Sequence, residues 1–196
     1  GAEREETVAW KKDTYQLLKQ AEQGKVKGVL TDQGEFSANA IINCAGGWAP
    51  GLAAQVGDEI PVFPERHQIM VTEPVAPLGA DGKYMPMVMS FSRKFYVQQT
   101  PHGSLIMGIG ETEPISFNIN STWQFLEKCS KVVTDTLPAL KELRIVRQWA
   151  GHYDMSPDRS PVIEFSPHAE GLVTICGFSG HGFMVAPRTA ILVANA

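Results

Sequence analysis

Residues 171–187, GLVTICGFSGHGFMVAP, decide the fold. The apolar run that ends at Cys176 reads as a buried strand. Gly177, Ser179, Gly180, His181 and Gly182 follow it, and then a small-residue helical pattern, PRTAILVANA (187–196). Glycine is entropically costly, so this density makes sense where something must approach the backbone closely. A helix start beside it offers free N–H groups and a partial positive charge. The alternative is a helix cap whose glycines only allow tight packing. Recurrence of the same order elsewhere favours a cofactor-facing turn.

That recurrence is AIINCAGGWAPGLAAQVG (40–57). Ile41, Ile42, Cys44 and Ala45 read as the apolar run of a strand buried on both faces. Gly46 and Gly47 break it, Pro50 suits the first turn of a helix, and Gly57 suits its end. Upstream, KVKGVLTDQGEF (25–36) reads as a hairpin, with the turn at Asp32-Gln33-Gly34.

The middle differs. RHQIMVTEP (66–74) is strand-like and ends at Pro74, and PVAPLGADGKY (74–84) is loop. KFYVQQT, PHG and SLIMGIG (94–110) make a second hairpin. STWQFLEKCSKVVTDTL (121–137) is the clearest amphipathic helix, with Trp123, Leu126, Val133 and Leu137 as its apolar positions. Three more strands follow within 142–158, 160–165 and 171–176. The fold class expected is α+β: an antiparallel or mixed-sheet domain flanked by two α/β-like pieces, 25–57 and 171–196. The chain thus enters, leaves and re-enters a nucleotide-type domain.

Composition sets bounds. The 196 residues are 43% hydrophobic and 19% charged, which suits a globular protein. A net charge of −4 gives no reason to expect a nucleic-acid partner. No run reaches the roughly 18 apolar residues of a membrane span. Cys44, Cys129 and Cys176 make neither a disulfide framework nor a C-x-x-C zinc pair. Cys44 and Cys176 read as small core residues, and a reducing compartment, the cytoplasm, is expected. Histidines 67, 102, 152, 168 and 181 lack metal-ligand spacing, so no metal is expected. The opening, GAEREETVAW, is not a signal peptide and reads as a cut through the middle of something larger. Neither G-x-G-x-x-G nor G-x-x-x-x-G-K-[ST] occurs.

Four stretches carry a resemblance: CGFSGHGFMVAP (176–187), GKVKGVLTDQGEFSANAIINCAGGWAPGLAAQVG (24–57), IPVFPERHQIMVTEP (60–74) and WAGHYDMSPDRSPVI (149–163). In order and spacing they resemble the FAD-dependent D-amino-acid-oxidase superfamily, in its sarcosine oxidase (β-subunit-like) branch. The resemblance implies a C-terminal fragment of a longer enzyme, lacking the N-terminal dinucleotide fingerprint. It implies residues 1–57 as part of an FAD-binding domain, 58–165 as an α+β substrate-binding domain, and 166–196 as the returning strand and helix.

The resemblance also implies roles. Gly180, His181, Gly182, Phe183 and Met184 would bring N–H groups and a helix N-terminus to the flavin ring. A pre-aimed dipole there stabilises the negative charge of reduced flavin. Ala45, Gly46 and Gly47 would permit close approach of another part of FAD. Tyr153 and Tyr96 would flank the substrate; the alternative for both is a strand aromatic packed in the core. His152 precedes Tyr153 and is expected on the opposite side of the strand.

Three departures matter. One sarcosine-oxidising branch has Lys where Met184 stands, and attaches flavin through a Cys where Gly151 stands. Glycine oxidases carry a carboxylate-binding Arg where Tyr153 stands. Non-covalent FAD is therefore expected. A carboxylate anchor must come from the missing N-terminal part, from Arg66, Lys94 or Arg159, or be unnecessary. The activity implied is oxidation of the C–N bond of a small amine, amino acid or imino acid by hydride transfer to flavin. A fragment of that kind is expected to be inactive alone, to need the missing part of its own chain, and to leave oligomerisation open. A non-catalytic relative serving as a regulatory or assembly subunit is the alternative; a self-contained binding domain is a weaker one.

Overall fold

The computed structural model describes residues 16–20 and 24–195. The opening decapeptide, which reads as a severed start, lies outside the described residues. In chain order the elements are β1 (Gln16–Gln20), β2 (Lys25–Thr31), β3 (Gly34–Ser37), β4 (Ile41–Asn43), α1 (Ala49–Ala53), β5 (Phe63–Thr72), β6 (Val88–Ser90), β7 (Phe95–Gln99), β8 (Leu105–Ile109), α2 (Trp123–Thr136), β9 (Ile145–Met155), β10 (Val162–Phe165), β11 (Leu172–Cys176) and α3 (Gly182–Ala194). The described residues form two compact units, those up to 65 with 153–195, and 66–152. The class is α+β, as the sequence implied. No helix among the described residues is long and apolar enough to cross a membrane.

The first unit holds two three-stranded sheets. One is antiparallel, in the order β1-β2-β3, with Thr31 opposite Gly34 closing the expected hairpin. The other runs β10-β11-β4. In it β11 pairs antiparallel with β10 and parallel with β4, Leu172 opposite Ile41 and Thr174 opposite Asn43. Parallel pairing of strands so far apart in sequence is the α/β signature expected of residues 25–57 and 171–196. Pro50 lies in the first turn of α1, and a 3-10 turn (Ala54–Val56) extends the helix to Gly57, at φ +96°. Ala49, Ala53, Ile60, Val62 and Cys176 form one buried cluster here; Val26, Val56, Ala169 and Leu172 form another.

Two expectations for this unit are corrected. Residues 41–45 are not a strand buried on both faces. β4 is an edge strand three residues long, and Ile42, 57% exposed, and Cys44, also exposed, project from its open face. Strand periodicity puts Asn43 on the covered face instead. There its amide donates to the Ala49 carbonyl (2.9 Å) and to Thr174 Oγ1 (3.4 Å). Cys44 is thus not a core residue, whereas Cys176 is fully buried, and burial followed by the Asp154 charge pushes its thiol up to about 12. The second correction is the start of α3, at Gly182 rather than near Pro187. Pro187 sits inside the helix, and Phe183 and Met184 belong to its first turn.

The second unit contains a sheet of order β6-β7-β8-β5-β9 with α2 packed on it. The expected hairpin is β7–β8, Val97 opposite Met107. Met70, Phe95, Val97, Leu105 and Met107 from the sheet meet Phe125, Cys129 and Val133 from α2. The buried stripe therefore runs i, i+4, i+8 from Phe125, and Trp123 is 74% exposed at the first helical position. Thr122 caps the helix, its Oγ1 accepting from the Phe125 N–H (3.2 Å), in keeping with the Ser-Thr start.

Long loops in this unit are held by buried amides. Gln99 Nε2 donates to the carbonyls of Val75, Ala76 and Gly103, and its Oε1 accepts from the N–H groups of Leu78 and Met85. One side chain thus satisfies backbone groups that a structureless loop would leave unpaired. A second network centres on Glu113. Its carboxylate accepts from Arg66 Nη2 (2.6 Å) and Gln68 Nε2 (3.0 Å), and Gln68 Oε1 accepts from the Thr122 N–H (2.7 Å).

Arg66 and Glu113 are only 14% and 13% exposed. Burial acts to raise the Glu113 carboxyl, but hydrogen bonds from Arg66 and Gln68 and the Arg66 charge outweigh it and hold the group below its ordinary value. The unfolded state then binds the proton first. The stabilisation is complete above about pH 4.3 and is lost as pH falls through the lower native value. We expect Glu113→Ala to destabilise this unit by about 1–3 kcal/mol by leaving the part-buried Arg66 without its counter-charge. Denaturant unfolding across pH 3–7 checks this, and the variant should also lose part of the acid dependence.

Candidate active site

Two glycine turns follow the carboxyl ends of the adjacent parallel strands β4 and β11. Open α/β sheets bind ligands at that edge. The first turn is Ala45-Gly46-Gly47. The Ala45 N–H donates to Asn43 Oδ1 (3.3 Å), and Gly46 takes φ +55° to open a 3-10 turn (Gly46–Trp48).

The second turn, residues 177–181, is more contorted. Gly177, Ser179 and Gly180 have φ of +77°, +52° and +88°. Ser179 adopts this left-handed conformation without glycine's freedom, and such backbone persists only where its surroundings over-determine it. Asp154 supplies much of that. Its Oδ2 accepts from the Gly177 N–H (2.7 Å) and its carbonyl from the Ser179 N–H (3.0 Å). The His181 N–H donates to the Phe178 carbonyl (3.0 Å), and His181 Nδ1 donates to the Ser179 carbonyl (3.1 Å). His181 then caps α3 with no side-chain bond to it. The first-turn N–H groups of α3, at Gly182, Phe183 and Met184, precede the point where intrahelical acceptors begin. Phe183 and Met184 are 99% and 71% exposed, so this helix start is open.

Tyr153 lies directly against Gly180. A Cβ on that glycine would overlap the Tyr153 ring, with Cζ at 2.7 Å. Tyr153 is 37% exposed and is therefore not a core aromatic. Within the first unit the structure brings together Tyr153 and the 177–184 segment. Asp154, its neighbour in β9, also lies beside the first turn: a Cβ on Gly46 would be 3.9 Å from Asp154 Cβ.

Tyr96 belongs to the second unit. It sits on β7, half-buried, with its hydroxyl 2.7 Å from where a Gly108 Cβ would lie. His152 packs edge-on against Phe117, with ring centroids 5.6 Å apart. Of the three cations named as carboxylate anchors, Arg66 is committed to Glu113 and to the Asn120 carbonyl (2.8 Å). Lys94 and Arg159 are exposed turn residues at φ +52° and +61°. The sequence reading missed Asp154. Its signal was faint: a lone carboxylate beside Tyr153 near the end of a strand.

The family model described as FAD dependent oxidoreductase (DAO) matches residues 14–196. The chain belongs to this family. Within the FAD dependent oxidoreductases it is 28% identical over 174 residues to "Sarcosine oxidase subunit beta" of Rhodobacter capsulatus, covering 89% of this chain and 41% of the relative. It is 29% identical over 174 residues to "Glycine oxidase" of Pseudomonas putida, covering 89% and 46%. Among solved structures, the L-proline dehydrogenase from P. horikoshii superposes with a TM-score of 0.79 at 36% identity, covering 88% of this chain and 46% of that one. The chain thus spans less than half the length of these relatives.

The donor set suits the family's cofactor. Free N–H groups at the α3 start match the carbonyl-rich edge of a flavin, and the turn with no side chain at Gly46 leaves its backbone approachable. We expect Gly180→Ala to destabilise the protein by roughly 2 kcal/mol or more, from left-handed strain and from displacing Tyr153. The full-length protein should also retain less flavin, read from the ratio of visible to ultraviolet absorbance after gel filtration.

Proposed function

We propose that the whole protein is a non-covalent FAD-dependent oxidase or dehydrogenase that oxidises the C–N bond of a small amine, amino acid or imino acid. The observation that carries this is the 177–184 segment: a left-handed loop, held by Asp154, that delivers an open helix N-terminus beside Tyr153 in a chain of the FAD dependent oxidoreductase family. The first unit is read as part of the FAD-binding domain and the second as the substrate domain.

FAD, when bound, supplies the hydride acceptor. The chain's own residues do the rest. The N–H groups of Gly182, Phe183 and Met184 stabilise negative charge on the flavin ring through the α3 dipole. Ala45, Gly46 and Gly47 admit the cofactor closely. Tyr153, beside the 177–184 segment, orients the substrate. An uncharged amine lone pair assists hydride departure, so no strong base is required.

An apolar surface on the first unit supports a further partner segment of the same chain. α3 exposes Phe183, Met184, Ile191 and Leu192, and the β4–β11–β10 sheet exposes Ile42 and Phe165. A helix apolar on most sides is one that a larger protein buries. The relative from Rhodobacter capsulatus is named as a subunit, which favours an assembly with other chains for this protein too. Three free thiols accord with the reducing cytoplasm.

The test is the visible spectrum of the purified full-length protein before and after anaerobic addition of sarcosine, proline, glycine or dimethylglycine. A flavin spectrum that bleaches with one of them is expected. Absence of flavin after incubation with FAD would sink the reading in favour of a non-catalytic subunit. The isolated 196-residue chain with added FAD is expected to turn over none of the four.

A further inference from the structure

We propose that Asp154 is a positioning residue that sets the geometry of the 177–181 loop and, through it, of the α3 start. The proposal rests on the flavin-site reading above.

Asp154 holds the loop twice. Its carboxylate takes the Gly177 N–H at 2.7 Å, and its carbonyl takes the Ser179 N–H at 3.0 Å. Between and beyond these bonds lie Gly177, Ser179 and Gly180, three residues in left-handed backbone. Without the carboxylate, the Gly177 N–H loses its short partner at the point where the chain leaves β11. A charge-assisted hydrogen bond is roughly twice as strong as a neutral one, so the carboxylate is the stronger anchor. The same residue lies beside Gly46, in van der Waals range of a Cβ built there. Asp154 therefore holds the second glycine turn and lies near the first, and Tyr153, its neighbour in β9, lies against Gly180. One dipeptide thus places a substrate-side aromatic against the cofactor-side turn that its carboxylate holds.

The chemistry separates two contributions. Asn can still present Oδ1 to the Gly177 N–H, without the charge. Ala removes the acceptor altogether. The carbonyl bond to Ser179 survives in both variants.

The experiment uses the full-length protein as wild type, Asp154→Asn and Asp154→Ala. Amide hydrogen exchange of peptides covering 177–182 is measured with and without FAD. It is joined by the FAD dissociation constant, the flavin absorption spectrum, and kcat and KM for whichever amine bleaches the flavin. Loss of a part-buried charged acceptor corresponds to about tenfold. We expect Asp154→Ala to exchange faster by that factor in 177–182, to bind FAD about tenfold more weakly with an altered flavin spectrum, and to lose kcat more than KM. Asp154→Asn should recover most of each effect.

Loop exchange and FAD affinity within twofold of wild type in Asp154→Ala would overturn the proposal. So would a uniform rise in exchange over the whole chain with no local excess at 177–182. Should Asp154→Ala fail to fold, Asp154→Ser, too short to keep the carboxylate's reach, takes its place with the same expected directions. A wild-type protein that binds no flavin would refute the flavin-site reading instead, and the exchange measurement without FAD would still decide whether Asp154 holds the loop.

Discussion

The parallel pairing of β11 with β4 is the constraint on which the first unit depends. Three residue pairs, Leu172 with Ile41, Val173 with Ile42 and Thr174 with Asn43, align two strands that local sequence could never bring together. Parallel alignment puts both carboxyl ends at one edge, so the two glycine turns become neighbours. Asn43 secures the edge from within by donating to Thr174 and to the Ala49 carbonyl at the start of α1. An apolar residue there would leave the buried carbonyl and hydroxyl without this donor. A buried polar side chain is thus the device that joins strand, turn and helix, and it satisfies the rule that buried polar groups need partners.

The second unit meets the same rule with longer side chains. Gln99 gathers five backbone groups from two loops, and Gln68 links the Thr122 cap of α2 to Glu113. The ion pair of Arg66 with Glu113 draws its importance from burial more than from attraction, because either charge left alone there would be costly. Arg66 thus directs Nη1 to Asn120 and Nη2 to Glu113.

Much of the architecture was legible. The two hairpins at 25–37 and 95–109 follow from alternating apolar residues around glycine-bearing turns. Pro50 and Gly57 bracket the helical segment after β4 through fixed φ and a left-handed stop. Errors arose where local pattern and tertiary neighbours disagree. Ile42 and Cys44 look like core because they are apolar, but exposure depends on what covers a face, and β4 is an edge strand here. Trp123 fits a helical stripe by spacing, yet the stripe that meets the sheet begins two residues later, at Phe125. Pro187 suggested a helix start, although the chain was already helical from Gly182. β6 passed unnoticed because Val88–Ser90 is too short for a periodic signal.

By itself, the sequence determined the element types, the two strand–glycine–helix junctions and the family. Those rest on local properties: period, φ preference, cap chemistry, and motifs in register. Only the tertiary structure decided that Asp154 grips the second turn, that Tyr153 lies against Gly180, and that Arg66 is occupied. A carboxylate, a tyrosine and an arginine are each compatible with many partners. Which one they meet is set by long-range pairing and by the need to satisfy every buried polar group, and neither is written in any single stretch of the chain.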